Sequence, residues 1–358
     1  MRHKPTRRNL SRRSEAVLGC SGLEDLARLL GLAAEKLLLL AANPQYNTFY
    51  RKKKSGKMRL IEEPVAPLKR VQDYLGDFLQ AVYYFHRTPA AYGFMVHPLD
   101  DPDKRHVLSN ATRHLGKPYL LNLDMEDFFH TVTQQRVQQL FEAPLFGFSE
   151  ELSRFLAQLT CYNGRLPMGA PTSPVLSNIA AIPLDHDLVQ LSEDSGWTYT
   201  RYADDMSFSS EAPIPEDATE EISRIVEMWE FRLNPEKRKY FGPNASDKSV
   251  TGLLVGGDKI GLAPEYLPAL ESAIDQLAKV TAAQHLVPSG RQADSIWVVD
   301  LRRAVFGKLE FARHVLGEDH FWVSRLRGAY YDALRAPEDY GALTWLEAGY
   351  DWDFPSNW

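Results

Sequence analysis

Three carboxylates offer the plainest chemistry in this sequence. Asp124 closes the apolar run Pro118-Tyr119-Leu120-Leu121-Asn122-Leu123, which has the pattern of a buried strand delivering an acid at its end. Asp204 and Asp205 stand together between two strand-like runs over residues 197–209, at the turn of an expected hairpin. Carboxylates a few ångströms apart repel one another unless a cation neutralises them. Mg²⁺ favours carboxylate oxygens together with substrate phosphates. Two such ions about 3.5–4 Å apart activate an attacking oxygen and stabilise a leaving one, as nucleotidyl transfer requires. Taken singly, neither signal is specific, because most Asp-Asp pairs are exposed turns or helix caps.

The flanking elements must bring the three acids together. Residues 1–13 are basic and read as a mobile arm; residues 21–42 carry a helical repeat through Leu23, Leu26, Leu29 and Leu30, ended by Asn43-Pro44. Tyr50 to Pro64 reads as a hairpin with a basic tip, with Ser55-Gly56 at its turn. An amphipathic helix is predicted over 65–85, with Leu68, Val71, Leu75, Phe78 and Leu79 on one face. Helices follow over 134–160, 175–191 and 216–232, a strand pair over 249–262, and a mostly helical stretch from Pro264 to about residue 335.

The order of the motifs is more specific than any one of them. Asp124 lies in Leu123-Asp124-Met125-Glu126-Asp127-Phe128-Phe129. Next comes Leu166-Pro167-Met168-Gly169-Ala170-Pro171-Thr172-Ser173-Pro174, and then Arg201-Tyr202-Ala203-Asp204-Asp205-Met206. In order and spacing these resemble the palm motifs of the reverse transcriptases. Lys52 to Arg59 resembles the fingers hairpin of the bacterial enzymes. Leu233-Asn234-Pro235-Glu236-Lys237 resembles the motif after the catalytic turn, and Gly252-Leu253-Leu254-Val255 the strand pair that grips a primer. Asn110-Ala111-Thr112-Arg113-His114 and Val250-Thr251-Gly252 resemble elements of the retron reverse transcriptases in particular. The resemblance covers roughly residues 45–315.

That resemblance implies an α+β right-hand polymerase. Fingers and palm would interleave over 45–260, a helical thumb would occupy 261–336, and a basic arm and helix (1–44) and an acidic aromatic tail (337–358) would flank them. Asp124, Asp204 and Asp205 would be catalytic and, with the Met125 carbonyl, would ligate two Mg²⁺, for which Mn²⁺ would substitute. Lys53, Lys57 and Arg59 would clamp the triphosphate; the bland alternative is a solvated hairpin. Phe129 would sit under the sugar and exclude a 2′-hydroxyl, or simply be a core aromatic, the role expected of Phe128. Met168 and Gly169 would line the nucleotide site. Many relatives carry Gln where this chain has Met168, and a thioether is only a weak acceptor, so altered nucleotide affinity or fidelity is expected. Lys237 would neutralise developing pyrophosphate or pair with an acid. Tyr202, Asn110, His114, Val250, Thr251 and Gly252 would meet primer, template or structured RNA, although a lone His more often satisfies a structural need. Lys308, Arg313, Arg325 and Arg327 could reach duplex phosphates.

Composition sets the limits of this reading. The net charge is −6, yet residues 1–60 carry 14 of the 41 Lys and Arg and only 4 of the 47 acids. That asymmetry suits a phosphate-binding arm or a solvated tail. Two distant cysteines, Cys20 and Cys161, make no disulfide framework and point to a reducing cytoplasm. Arg12-Arg13 before Val17-Leu18-Gly19-Cys20 imitates an export signal, but Glu15 interrupts the apolar core that a signal needs. No membrane partner is expected. The family implies deoxynucleoside triphosphates as substrates, together with a structured noncoding RNA and its DNA copy. It also implies an effector protein in defence against phage and a separate host ribonuclease H. Two other readings stay open: a catalytically idle RNA-binding scaffold, and an abortive-infection polymerase that works without a template.

Overall fold

The computed structural model describes residues 4–52, 56–285 and 296–335. The chain divides into two units, Met1–Ala245 and Ser246–Trp358. In the first, residues read as a mobile basic arm form helix α1 (Arg7–Leu18). Thr6 caps it, its side chain accepting a hydrogen bond from the Asn9 amide while the Asn9 side chain accepts one from the Thr6 amide. Leu10, Ser14 and Val17 fall on one face and are buried; Leu10 packs with Ala81 and Tyr84 of α4 (Ala66–His86). The apolar stripe overrides the charge of the other face. The single helix expected over 21–42 is two, α2 (Leu23–Leu30) and α3 (Ala34–Ala42), because Gly31 at φ 67° ends the first in a left-handed cap.

Strands β1 (Tyr46–Lys52) and β2 (Met58–Pro64) form the antiparallel basic hairpin. After α5 (Val107–Thr112), β3 (Tyr119–Asp124) enters the central sheet. The helix expected over 134–160 breaks into α6 (Gln134–Glu142) and α7 (Glu150–Thr160), the second capped by Ser149. That expected over 175–191 breaks at Ala181 into α8 (Ser173–Ala180) and α9 (Ile182–Asp194), each with Pro in its first turn. Then come β4 (Thr198–Tyr202), β5 (Asp205–Ser210), α10 (Ala218–Met228), a 3-10 turn (Pro235–Lys237) and β6 (Lys239–Phe241). The sheet order is β4-β5-β3-β6, antiparallel throughout. Leu121 faces Phe208 and Asn122 faces Ser207, so the register ends with Asp124 opposite Asp205. Leu121, Leu123, Met206 and Phe208 anchor that register in a core shared with α4, α7 and α8.

His114 fastens α5's loop to this sheet. Its ring is fully buried, and its two nitrogens lie 2.7 Å from the Ser209 and Thr200 hydroxyls. Burial, then the charges of Arg113 and Lys117, push its pKa down to about 3. The unfolded chain therefore binds a proton that the fold excludes. Stability from this residue is complete above its ordinary value near 6.5. It falls by about 1.4 kcal/mol per pH unit below that, until the folded pKa is reached. Urea unfolding at pH 7.5 and pH 5 should show a smaller acid loss for His114→Gln than for the parent; equal losses would contradict this assignment.

The second unit holds three short strands rather than the expected pair, β7 (Ser249–Val250), β8 (Leu253–Leu254) and β9 (Gly261–Leu262), in that order. Thr251 at φ 47° and Gly252 at φ 81° make the first turn. Helices α11 (Tyr266–His285), α12 (Ile296–Leu316) and α13 (Phe321–Leu334) pack mutually. Their contacts come from Leu270, Ile274 and Leu277, from Val298, Leu301 and Val305, and from Val323, Leu326 and Tyr330, each set at helical spacing. Among the described residues no helix is long and apolar enough to cross a membrane. The acidic aromatic tail lies outside the described residues.

Candidate active site

The sheet gathers the three acids from two chain segments. Asp124 ends β3 opposite Asp205 at the start of β5, and Asp204 precedes Asp205 in the β4–β5 turn. The Met125 amide donates to the Asp204 carbonyl at 2.9 Å, and the Asn234 amide to the Asp124 carbonyl at 2.8 Å, fixing both strand ends. Asp205 is exposed at the strand end, yet crowding protein atoms that desolvate its carboxyl, then repulsion from Asp204 and Asp124, push it up to about 7, and it shares a hydrogen bond with Asp124. Asp204 is also raised, by desolvation and by Asp124. Lys237 Nζ sits 2.6 Å from Asp124 Oδ2. This is an anionic cluster short of positive charge, recruiting a proton and an ammonium group. Its oxygen-only donors suit a hard divalent cation. Among the described residues no group of three or more His, Cys, Asp or Glu side chains is arranged to hold a metal ion.

Cations stand beside this cluster. Arg59, half-buried on β2, lies close enough for its charge to favour ionised Asp204. Its Nε is buried without a hydrogen-bond partner among the described residues. Arg59 also faces Arg51 across the hairpin, a like-charge pairing that strands tolerate poorly. An unpartnered guanidinium donor in such a place suits a phosphate. Lys57 is exposed and pairs with Glu236 at 2.7 Å. Lys53 lies outside the described residues.

Met168 and Gly169 lie where the loop before α8 meets β2. The Glu62 amide donates to the Met168 carbonyl at 2.8 Å. The Glu62 side chain, buried, takes a two-pronged bond from Arg165 at 2.7 and 3.2 Å. Gly169 has φ 129°, and a Cβ there would lie 2.9 Å from the Glu62 carbonyl, so only glycine fits. Met168 is half-buried. Phe128 is core, stacked on Phe231 at 5.4 Å, whereas Phe129 is only half-buried and its ring centre lies 5.7 Å from that of Phe94.

Sequence reasoning missed what holds the Asp-Asp turn. Arg201 is fully buried. It grips Asp185 of α9 through Nε and Nη2, both at 2.7 Å. Its Nη1 bonds the Asn178 side chain at 2.9 Å and the Ala203 carbonyl at 3.0 Å. Ala203 itself is left-handed, φ 59°, a conformation disfavoured for a residue with a Cβ. Tyr199 and Thr88 complete the Asp185 shell at 3.0 and 2.9 Å. The available signal was an arginine inside a strand of β-branched and aromatic residues, Thr198-Tyr199-Thr200-Arg201-Tyr202, where a buried charge demands a partner.

Other candidates fall elsewhere. Asn110 and His114 are buried, His114 completely and with both ring nitrogens engaged, so in this fold neither side chain lies at the surface. Val250 is likewise fully buried, while Thr251 and Gly252 form the turn beside it. Tyr202 is half-buried and faces Asp205 across β4 and β5. Arg313, Arg325 and Arg327 are engaged by Glu310, Glu271 and Glu318 respectively.

Residues 50–253 match the family described as reverse transcriptase (RNA-dependent DNA polymerase). Curated relatives include the Escherichia coli retron Ec86 reverse transcriptase, 30% identical over 263 residues, covering 72% of this chain and 78% of that one. The Myxococcus xanthus retron Mx65 and Mx162 reverse transcriptases are 31% and 29% identical, covering 72% and 78% of this chain. The chain spans less than two thirds of either Myxococcus protein, 63% and 61%. A solved structure of Candida albicans telomerase with a telomeric RNA fragment aligns at TM-score 0.45 and 11% identity over 88% of this chain and 62% of that one, too loosely to support a functional inference.

Proposed function

Because the chain belongs to the reverse transcriptase family, and within it to the retron reverse transcriptases, we propose that it copies a structured noncoding RNA into single-stranded DNA that stays joined to that RNA through a guanosine 2′-hydroxyl. The observation that carries the reading is the convergence of Asp124 and Asp205 on facing strand ends, with Asp204 in the same turn. Asp124 and Asp204 would hold two divalent ions, with Asp205 as a weaker third acid and the Met125 carbonyl as a further donor, and the ions would supply activation of the primer hydroxyl and charge stabilisation on the leaving pyrophosphate.

The remaining roles follow from placement and residue type. Arg59, with Lys57 and Lys53, binds the triphosphate. Lys237, already drawn to Asp124, neutralises charge as pyrophosphate departs. Phe129 blocks a 2′-hydroxyl, Met168 and Gly169 line the nucleotide site, and Tyr202 packs near the primer end. Fingers and palm occupy about 45–260, and the helices after them form the thumb. A host ribonuclease H removes copied RNA in the cytoplasm, and an effector protein joins the complex in anti-phage defence.

The test is primer extension with deoxynucleotides on an RNA template, with Mg²⁺ or with chelator, and then synthesis on the chain's own noncoding RNA. Expected products depend on template and metal, and on the cognate RNA they shorten when ribonuclease removes the attached RNA. Equal synthesis without template, or in chelator, would overturn the proposal.

A further inference from the structure

We infer that Phe94 is a second wall of the nucleotide-sugar gate: an aromatic specificity residue that braces Phe129 and is held in register with the catalytic turn. The inference rests on the reading of Phe129 as the sugar-facing aromatic. Phe94 has φ 56°, a left-handed conformation that is disfavoured for a residue with a side chain and persists only when its surroundings enforce it. The residue is 36% exposed. It is therefore not a core aromatic, and apolar burial does not explain the strain. The ring leans on Phe129, centres 5.7 Å apart and planes tilted by 34°, and Phe129 leans in turn on buried Phe128 at 5.8 Å.

The backbone around Phe94 is fastened from three directions. Gln80 of α4 donates to the Phe94 carbonyl at 2.9 Å and accepts from the Val96 amide at 3.3 Å. Asn178 of α8 donates to the Gly93 carbonyl at 2.9 Å, and the same side chain accepts from Arg201. The Tyr92 amide donates to the Arg201 carbonyl at 2.8 Å. Gly93 presses against the catalytic turn so closely that a Cβ would lie 2.6 Å from the Ala203 nitrogen. Asn178 and Arg201 thus tie two left-handed residues, Phe94 and Ala203, into one frame. A half-exposed ring held in a strained position, against the gate aromatic and at a fixed offset from Asp204 and Asp205, is placed to limit how far Phe129 can retreat from a bulkier sugar.

The test compares kcat/KM for a deoxynucleotide and its matching ribonucleotide in primer extension, with thermal unfolding in parallel. Variants are Phe129→Ala, Phe94→Ala, Phe94→Leu and Phe94→Tyr. Phe94→Ala and Phe94→Leu should each lower deoxy-over-ribo discrimination about tenfold, the scale of a small steric change in a pocket. Most of that should come through a lower ribonucleotide KM. Phe94→Tyr, which keeps the ring, should retain the ratio. If Phe129→Ala relaxes discrimination but Phe94→Ala and Phe94→Leu leave it within twofold of the parent, Phe94 is no part of the gate. If Phe129→Ala itself leaves selectivity unchanged, the gate reading fails, and this inference with it. A merely structural Phe94 would lower the melting temperature and the rates with both sugars equally. Phe94→Leu, which keeps apolar bulk, covers the case in which Phe94→Ala does not fold.

Discussion

Asp204→Asn should abolish template-dependent extension, by about a thousandfold or more, while leaving the metal-free protein at least as stable as the parent. The two halves of that result have one cause. Metal coordination is worth several kcal/mol of transition-state stabilisation, and an amide cannot supply the lost anion. Desolvation and the neighbouring Asp124 raise the pKa of Asp204, so its charged form opposes folding. For an acid raised in this way, stability is greatest below its unfolded pKa and is lost as pH rises through the folded value. Removing the charge at neutral pH relieves repulsion. Extension assays and thermal unfolding of the same preparation check both halves. A variant inactive because it is unfolded, or active at the parent's rate, would contradict the account.

Arg201→Met should destabilise the protein by about 3–5 kcal/mol, the usual cost of leaving one partner of a buried ion pair alone. Both Arg201 and Asp185 are fully buried, so removing the cation strands the Asp185 carboxylate away from water. It also releases the Ala203 carbonyl and one side of Asn178. Replacing both partners, Arg201→Met with Asp185→Leu, should recover part of the stability, since a matched apolar pair strands no charge. Activity should not recover, because the left-handed turn still lacks its Nη1 bond. Arg201→Lys should also fall short, since an ammonium group cannot make the forked contact. Denaturant unfolding gives the stabilities. A single variant within about 1 kcal/mol of the parent would show that this network is not the support described.

The convergence of the three acids was legible because it depends on local patterns. An apolar run ending in Asp124 and a turn at Ala203-Asp204-Asp205 each specify a strand end, and the antiparallel register of the two strands joins them. Gly169 was legible as a motif member, but its reason was not. The clash with Glu62 is a contact between residues more than a hundred positions apart. The same applies to Arg201, Asp185 and Asn178: the sequence shows a charge inside a strand without naming its partner. Helix breaks at Gly31 and Ala181 were missed because apolar periodicity runs through them. The role of His114 went the other way. A polar residue in a motif suggested RNA, while tertiary packing gave it two hydroxyl partners and no surface.

The most direct measurement is a crystal structure with template–primer, a non-hydrolysable deoxynucleoside triphosphate and Mn²⁺, located by anomalous scattering. The account predicts two peaks about 3.5–4 Å apart, both touching Asp124 or Asp204, with Arg59 on the phosphates and Lys237 drawn off Asp124. Peaks confined to other parts of the molecule, with Asp124 still held by Lys237 beside a bound nucleotide, would contradict it.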